Sequence, residues 1–409
     1  MDELKAIEFV NKAEKSLASL YKKIDDVVLF NQKKVLDAFR KAEVELRHMS
    51  ASSGYGYEDV AKPKLSELFS YVFSSEAAIV SPLITCGTHA LASCLFGILR
   101  PGDLLLSIAG EPYDTLIDCI KGKNNGSLND FGVKYEYIDL INGRFNTRKI
   151  LSVVRAKHPK MIFIQRSRGY QSRSAISVDI IAKIISKVRE IDKKVIIMVD
   201  NCYGEFVEKQ EPTEVGADII AGSLIKNPGG GIAPTGGYVA GRKDLVDLVA
   251  GRLTAPTLGT EVGSYNTPYT LFFEGLFMAP HVVGGALKGS ALLGKVAENL
   301  GYKAFPKSST YPYDIIRSIY FDKKEDLIEL TQMIQKFAPV DSNAVPMPWD
   351  MPGYSDKVIM AAGSFIQGSS IELSCDAPIR KPYILYIQGG ITYEHIKLVA
   401  IEIAKIKGE

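Results

Sequence analysis

Residues 195–204 read VIIMVDNCYG and residues 217–231 read ADIIAGSLIKNPGGG, and these two stretches decide the fold. Each begins with a short, almost wholly apolar run and ends in polar residues, Asp200 in the first and Lys226 in the second. Apolar runs of this length are typical of strands that are covered on both faces, as in a mostly parallel sheet. Ligands bind beyond the carboxyl ends of such strands, so we expect Asp200 and Lys226 to face a binding site.

Similar apolar runs alternate with helical patterns through the central part of the chain. We predict strands over residues 77–80, 104–108, 161–164, 195–199 and 217–221, and helices over 65–73, 90–99, 114–121, 147–157 and 178–190. This alternation indicates right-handed βαβ units. The predicted fold class is therefore α/β, with a mostly parallel, doubly wound sheet in a large domain.

The two ends of the chain show other patterns. Apolar residues recur at helical spacing over the first fifty residues, which predicts a helical segment whose apolar stripe packs on the small lobe or on a partner subunit. Residues 251–280 are rich in Gly, Thr and Pro and are predicted to be irregular, and a helix is predicted over 282–300. The last hundred residues predict a smaller α+β lobe, so the domains are expected at residues 1–53, 54–280 and 281–409.

Composition excludes several classes of protein. The 409 residues carry 49 Lys and Arg against 47 Asp and Glu, and this balance offers no basic field for nucleic acid or an anionic membrane. No apolar run approaches the ~20 residues that a membrane span needs. The charged start lacks the apolar core of a signal peptide, and five scattered cysteines fit a reducing compartment. We expect a cytoplasmic enzyme.

The polar residues after the strands each have an ordinary and a functional interpretation. Asp200 is either a turn or cap residue, or a fixed negative charge awaiting a cationic partner. Lys226 precedes a turn too rich in glycine to be helical. Most lysines are surface charges, but partial desolvation at a sheet edge would lower the pKa of Lys226 and make its amine a Schiff-base nucleophile.

A small-residue turn, Cys86-Gly87-Thr88-His89, leads directly into a predicted helix. Free N–H groups at a helix start form an anion site, to which Thr88 adds a hydroxyl, although simple capping by Thr85 or Thr88 is the alternative. Cys86 and His89 stand three residues apart without a second ligand pair, so no metal site is expected.

Taken in chain order, these features match one cofactor. Tyr113 follows the strand at 104–108, where its ring either stacks on a bound heteroaromatic or simply packs. Ser223 stands three residues before Lys226. Pyridoxal 5′-phosphate (PLP) needs an anion cradle, a stacking face, a carboxylate for its ring nitrogen and an amine, and the chain offers these in one ordered set.

The sequence resembles the fold-type I PLP enzymes, and most closely the family described as aluminium resistance protein or methionine γ-lyase-like. The resemblance covers nearly the whole chain and is carried by residues 54–59, 86–90, 165–170, 200–201, 223–230 and 388–390. It implies that Lys226 holds the cofactor covalently and shuttles protons, that Asp200 pairs with the ring nitrogen, and that Tyr113 stacks on the ring. It further implies that the phosphate lies against Cys86, Gly87, Thr88 and Ser223.

The resemblance also implies shared active sites. Tyr55 and Tyr57 look like the tyrosine that, in the related cystathionine and methionine lyases, completes the phosphate site of a neighbouring subunit. A homodimer or a homotetramer is therefore expected. The chain departs from those lyases in having no arginine beside this pair and in carrying Ile225, rather than a hydroxyl residue, before Lys226.

Three arginines are candidates for the residue that binds the substrate carboxylate. Arg380 lies near the expected place in the small lobe, and Arg168 and Arg173 are the competing candidates. Arg168 or Ser167 is also a candidate for the group that faces the phenolic oxygen of the cofactor.

The function that the resemblance implies is a PLP-dependent carbon–sulfur lyase. It would act by β- or γ-elimination on a sulfur amino acid. An aminotransferase or another α-carbon chemistry on a small amino acid is the alternative, because the fold does not choose among them. A PLP-binding protein without turnover is the third hypothesis.

Overall fold

Two sheets of different construction organise the chain, whose computed structural model describes residues 1–351 and 356–408. The larger sheet has the strand order β1-β7-β6-β5-β4-β2-β3. Its strands are β1 (Ala77–Ser81), β2 (Leu104–Ser107), β3 (Lys134–Tyr137), β4 (Met161–Gln165), β5 (Ile196–Asp200), β6 (Ile219–Ser223) and β7 (Gly237–Gly241). Strands β2 to β6 pair in parallel, and only β7 joins its neighbours β6 and β1 in antiparallel fashion within the described sheet. This confirms the predicted mostly parallel α/β sheet.

Helices cover both faces of this sheet. They are α3 (Ala61–Val72), α4 (Gly87–Ile98), α5 (Asp114–Lys121), α6 (Thr147–Lys157), α7 (Val178–Arg189) and α8 (Lys243–Leu253). Short 3₁₀ turns lie at Leu46–Met49, Pro212–Val215 and Asn227–Gly229. The central helices lie where their patterns predict them, but α4 begins three residues earlier than predicted, at Gly87. That shift places the first turn of α4 inside the candidate anion site.

The smaller sheet is wholly antiparallel, in the order β10-β11-β12-β9-β8. Its strands are β8 (Lys303–Phe305), β9 (Ile316–Phe321), β10 (Val358–Ala361), β11 (Ser374–Pro378) and β12 (Tyr383–Gln388), and it carries α10 (Lys324–Lys336) and α11 (Tyr393–Lys407). One face packs on these helices around the buried side chains of Leu385, Ile387 and Cys375. The other face is turned toward the large sheet.

The N-terminal segment forms two helices that pack on different lobes of the same chain. Helix α1 (Glu3–Ser16) buries Ala6 and Val10 in the core of the small lobe, against α11. Helix α2 (Ala18–Lys41) buries Leu20 and Ile24 in the core of the large lobe.

A single long helix, α9 (Thr270–Asn299), runs through both cores. The prediction that residues 251–280 are irregular is wrong from Thr270 onward, because burial of one apolar side chain after another stabilises a helix that tolerates Pro280 in its interior. By length and composition α9 could cross a membrane, but 61% of its most apolar window is buried inside the fold, as in a core helix. It also crosses the expected boundary at residue 280, and the three-part domain division stays a prediction.

Candidate active site

A cavity of about 430 Å³ lies between the two sheets and brings together six of the predicted site residues. The large lobe contributes side chains that follow its parallel strands, and the small lobe contributes the open face of its sheet. The predicted residues in the lining are Tyr113, Ser167, Arg168, Asp200, Lys226 and Arg380.

Lys226 lies three residues beyond the end of β6 and is held by the turn that follows it. The Asn227 side-chain amide donates a hydrogen bond to the Glu205 carbonyl at 3.0 Å. The Lys226 Nζ atom lies 4.3 Å from the centre of the Tyr203 ring. Burial lowers the pKa of the Lys226 amine, but nearby groups that can carry negative charge, Asp200 among them, outweigh burial and hold that pKa above its ordinary value. The expectation of a lowered pKa is therefore wrong for the protein without its cofactor.

Asp200 ends β5 and is almost completely buried. Its Oδ1 atom accepts a hydrogen bond from the Cys202 backbone N–H at 3.1 Å, so the carboxyl also fixes its own turn. Burial raises the pKa of Asp200, and the charge of Lys226 and the Cys202 N–H oppose that rise. The interpretation as a turn residue therefore holds, and the role as a fixed negative charge for a cationic partner stays a prediction.

The first turn of α4 lies beside Lys226. The cap is the Cys86 side chain, whose sulfur accepts a hydrogen bond from the His89 N–H at 3.3 Å, so the expectation that Thr85 or Thr88 caps the helix is wrong. A Cβ atom on Gly87 would lie 3.5 Å from the Ser223 Cβ and 3.9 Å from the Lys226 Nζ. The missing side chain therefore keeps open the space between the helix start and the lysine.

The residues around this space fit a phosphate group. The first N–H groups of a helix have no intrahelical partner, and they point outward from its positive end. The Ser223 hydroxyl is buried and makes no hydrogen bond within the described part of the chain. Such a donor beside a helix start needs an acceptor, and phosphate oxygens supply one.

Tyr113 is positioned by contacts at both ends. Its backbone N–H donates to the Gln165 side-chain oxygen at 2.9 Å, and its hydroxyl lies 2.9 Å from the Thr88 hydroxyl. Burial raises the pKa of the phenol, which therefore stays protonated. Thr88 thus contacts Tyr113 as well as standing at the helix start.

Tyr203 was not singled out from the sequence, although its ring faces the lysine amine. Its backbone φ is +69°, in the left-handed region that side chains other than glycine rarely adopt. Strain of this kind is held in place by the surrounding structure and clusters at functional sites. The one signal in the sequence that could have identified Tyr203 as a site residue was its position three residues after Asp200.

The three arginines occupy different environments. Arg168 is fully buried, donates to the carbonyls of Phe305 (at 3.0 Å) and Ile316, and so joins the loop after β4 to the small lobe. Arg173 donates to carbonyls of its own loop and is absent from the described cavity lining. Arg380 is half exposed at the cavity and pairs with Asp356 at 2.9 Å.

Tyr55 and Tyr57 lie away from the cavity. Their rings stack at 5.3 Å, and the two residues are 70% and 73% exposed. Two adjacent exposed aromatic rings form an apolar patch of the kind found at protein–protein contacts. Their role in the site of a neighbouring subunit stays a prediction.

Comparison with known proteins identifies the family of the chain. The family model described as methionine gamma-lyase matches residues 6–407. The chain is 44% identical over 390 residues to YnbB of Bacillus subtilis, a match that covers 94% of this chain and 92% of YnbB.

Solved structures extend the comparison. A carbon-sulfur lyase involved in aluminium resistance from Clostridium novyi is 46% identical, with a TM-score of 0.94 and coverage of 98% of this chain and 96% of that one. A protein involved in aluminium resistance from Listeria monocytogenes is 47% identical, with a TM-score of 0.95 and coverage of 98% and 99%. These matches confirm the predicted fold and the predicted carbon–sulfur lyase class, and they do not favour the aminotransferase alternative. The chain belongs to the methionine gamma-lyase family.

Proposed function

We propose that this lyase uses PLP held at Lys226 to eliminate a thiol from the β or γ carbon of a sulfur amino acid. The observation that carries the proposal is the convergence of Lys226, Asp200 and Tyr113 on one cavity, with the first turn of α4 next to Lys226. PLP, when bound, supplies a sink for the electrons released at the α carbon of the substrate. With one water molecule consumed, the products would be a keto acid, ammonia and the thiol.

The phosphate of the cofactor would lie at the start of α4. Gly87 leaves room there, the Ser223 hydroxyl has an unused donor, and the helix end favours an anion. The Thr88 hydroxyl lies at the same place, already in contact with Tyr113. Cys86 contributes by capping the helix, which keeps these N–H groups in position.

The buried carboxyl of Asp200 would hold a proton on the ring nitrogen of the cofactor. A buried carboxylate is costly unless a cation pairs with it, so a protonated nitrogen is stabilised at that position. The Cys202 N–H fixes the orientation of the carboxyl. Tyr113 would cover one face of the ring, since its two hydrogen bonds hold it at the cavity wall.

Lys226 would move the α-proton of the substrate. With Nζ free, its neutral amine would accept that proton. The amine has to be deprotonated for this role, and neighbouring groups hold its pKa above the ordinary value. Pairing of Asp200 with the cofactor would remove part of that effect.

We assign the substrate carboxylate to Arg380. Its guanidinium lies at the cavity, and its described ion pair, with Asp356, is one that a substrate can replace. Arg168 is committed to the carbonyls of the small lobe and to Asp314 at 3.6 Å, so its proposed role is to hold the cavity wall.

We also propose a homodimer or homotetramer, with Tyr55 and Tyr57 reaching the phosphate site of a partner subunit. Their exposure and their distance from the cavity of their own chain support this arrangement. Mixed dimers test it. Subunits carrying Lys226→Ala and subunits carrying Tyr55→Ala with Tyr57→Ala should each be inactive, and co-expression should restore part of the activity, whereas sites made within one chain would show no restoration. The five free cysteines of the described residues suit the cytoplasm, where we place the enzyme.

The decisive experiment joins a spectrum to a product assay. The purified protein should be yellow, the colour should bleach with borohydride, and Lys226→Ala should be colourless, while the exposed-lysine control Lys160→Ala stays yellow. Incubation with cysteine, cystathionine or methionine should release pyruvate or 2-oxobutyrate and a thiol. A yellow protein that yields no keto acid from any of them would refute the lyase. Loss of colour without release of ammonia would indicate aminotransfer.

A further inference from the structure

The small-lobe wall of the cavity carries polar groups that the elimination chemistry does not use. The side-chain oxygens Ser369 Oγ, Ser370 Oγ, Ser374 Oγ and Asp376 Oδ1 are buried without a hydrogen bond of ordinary geometry in the described part of the chain. All four residues line the cavity that contains Lys226. Buried polar atoms are nearly always satisfied in folded proteins, so four on one cavity wall are available to pair with a bound ligand.

The register of the small sheet explains why these groups face the cavity. Asp376 lies on β11 opposite Met360 of β10 and Tyr386 of β12, and both neighbours line the cavity too. Cys375 and Ala377, the residues on either side, are buried in the core of the small lobe. Because side chains alternate along a strand, Ser374 and Asp376 share the face opposite to that core. An aspartate inside a strand works against local propensity, which is typical of a position kept for binding.

Asp376 is an acid without a cation. It is 8% exposed, its Oδ2 atom accepts a long hydrogen bond of 3.4 Å from the Gln388 amide, and no salt bridge reaches it among the described residues. Burial raises the pKa of Asp376 to about 7, and hydrogen bonding with the Tyr170 side chain opposes the rise. The arginines of the cavity are paired elsewhere, Arg380 with Asp356 and Arg168 with Asp314. An incoming cation would therefore meet an uncompensated carboxyl.

We propose that Asp376, with the hydroxyls of Ser369, Ser370 and Ser374, binds an ammonium group on the leaving half of the substrate. The inference rests on the proposed elimination function and names its substrate class: sulfur amino acids whose thiol half carries a second amino group, as cystathionine does. An ammonium has three N–H donors, which match a carboxylate and nearby hydroxyl acceptors.

The same wall disfavours methionine. An S-methyl group would cover the four polar groups without pairing any of them. A site built to hydrogen-bond a substrate group rejects an analogue that lacks the group, because its own buried groups are then left unpaired. The protein should therefore prefer cystathionine to methionine as a substrate.

Equilibrium binding tests the subsite without any turnover. The first probe is cystathionine with its sulfur replaced by a methylene group, which cannot be eliminated, and the second is the same molecule without its distal amino group. We expect the holoenzyme to bind the first about ten- to a hundredfold more tightly in calorimetric titrations. In Asp376→Asn, which keeps the size of the side chain but removes its charge, this ratio should fall toward one. The matched control Asp322→Asn changes an exposed carboxylate and should keep the wild-type ratio.

Turnover gives the second readout. Asp376→Asn should lower kcat/KM for cystathionine about tenfold or more and change that for cysteine by less than about threefold. If Asp376→Asn does not fold, Ser374→Ala replaces it and should lower the binding ratio in the same direction.

The ammonium subsite and the lyase function can each be refuted without refuting the other. Equal affinity of the wild-type holoenzyme for the two probes, or an unchanged ratio in a folded Asp376→Asn, would overturn the subsite while leaving the lyase intact. A wild-type protein that binds the first probe through Asp376 and eliminates thiol from no sulfur amino acid would overturn the proposed function and support the subsite.

Discussion

Replacing Gly87 with alanine should separate cofactor binding from folding at a single position. The residue is the first of α4, and its φ lies outside the left-handed region, so alanine adopts the same backbone without strain. The added methyl would lie 3.3 Å from the Cys202 sulfur and 3.5 Å from the Ser223 Cβ, contacts that a shift of a few tenths of an ångström relieves. Alanine is favoured over glycine in helices by about 0.5–1 kcal/mol, which offsets much of that cost. We expect the stability of the cofactor-free protein to change by less than about 1 kcal/mol.

The effect on PLP should be much larger. The same methyl would lie 3.9 Å from the Lys226 Nζ, in the space where we place the phosphate. Loss of a charge-assisted hydrogen bond or of close approach to the helix start predicts about a ten- to hundredfold weaker affinity for PLP. Visible absorbance during titration of the cofactor-free protein with PLP measures this affinity, and thermal unfolding measures stability.

Gly97→Ala in the same helix provides the matched control. Its methyl would lie 3.1 Å from the Val249 Cα and 3.2 Å from the Leu248 carbonyl, which are backbone atoms of α8 that cannot rotate away. Overpacking of this kind costs about 1–3 kcal/mol, so this variant should unfold at a lower temperature but bind PLP normally once folded. Wild-type PLP affinity in Gly87→Ala would contradict the placement of the phosphate at the start of α4.

Further predictions concern the acid and the arginines of the cavity. Because burial raises the pKa of Asp376 to about 7 from an ordinary 3.8, the folded state holds this proton more tightly, and its contribution to stability is lost as pH rises from about 4 through 7. The free energy of unfolding of Asp376→Asn should therefore exceed that of the cofactor-free wild type by on the order of 1–3 kcal/mol at pH 8 but not at pH 4. The same difference between variant and wild type at both pH values would refute this. Arg380→Ala should raise KM for amino-acid substrates at least about tenfold and leave the melting temperature unchanged, while an unaltered KM would exclude it as the carboxylate ligand. Arg168→Ala should instead destabilise the protein by about 3 kcal/mol or more in thermal unfolding, because it leaves Asp314 buried and unpaired, and a wild-type melting temperature would contradict its structural role.

The sequence predicted the parts of the site that depend on strand ends. Apolar runs of five residues located β5 and β6, and these runs placed Asp200 and Lys226 at one edge before any contact was known. The start of α4 could be predicted only within three residues, because a cysteine cap at Cys86 replaces the hydroxyl caps that the pattern favours. A local sequence pattern predicts the start of a helix less accurately where an unusual residue, here a cysteine, caps it.

Other features depend on partners that are distant in the chain. The pKa of Lys226 rises because the fold brings Cys202 and Tyr203 to it from the turn after β5, together with Tyr113 and Asp200, and sequence reasoning cannot sum these effects. The first three turns of α9 were missed because burial against both lobes outweighs Pro280 and the glycines. Asp376 was missed because SCDAP, the sequence of β11, has little strand character, and only pairing with β10 and β12 shows which face it occupies.

Helix α9 limits how this enzyme can open to admit its substrate. A 30-residue helix spans roughly 45 Å, and here its buried residues up to Ala291 pack in the core of the large lobe, while those from Leu292 to Ala297 pack in the core of the small lobe. Moving the lobes apart would require breaking backbone hydrogen bonds in the middle of α9. The hydrogen bonds of Arg168 to the carbonyls of the small lobe are a second connection between the two lobes. Entry to the cavity must then come from small local movements at its rim, such as release of Arg380 from Asp356. The two lobes would stay fixed relative to each other while Arg380 moves at the rim, so the reacting groups remain aligned as substrates bind and products leave.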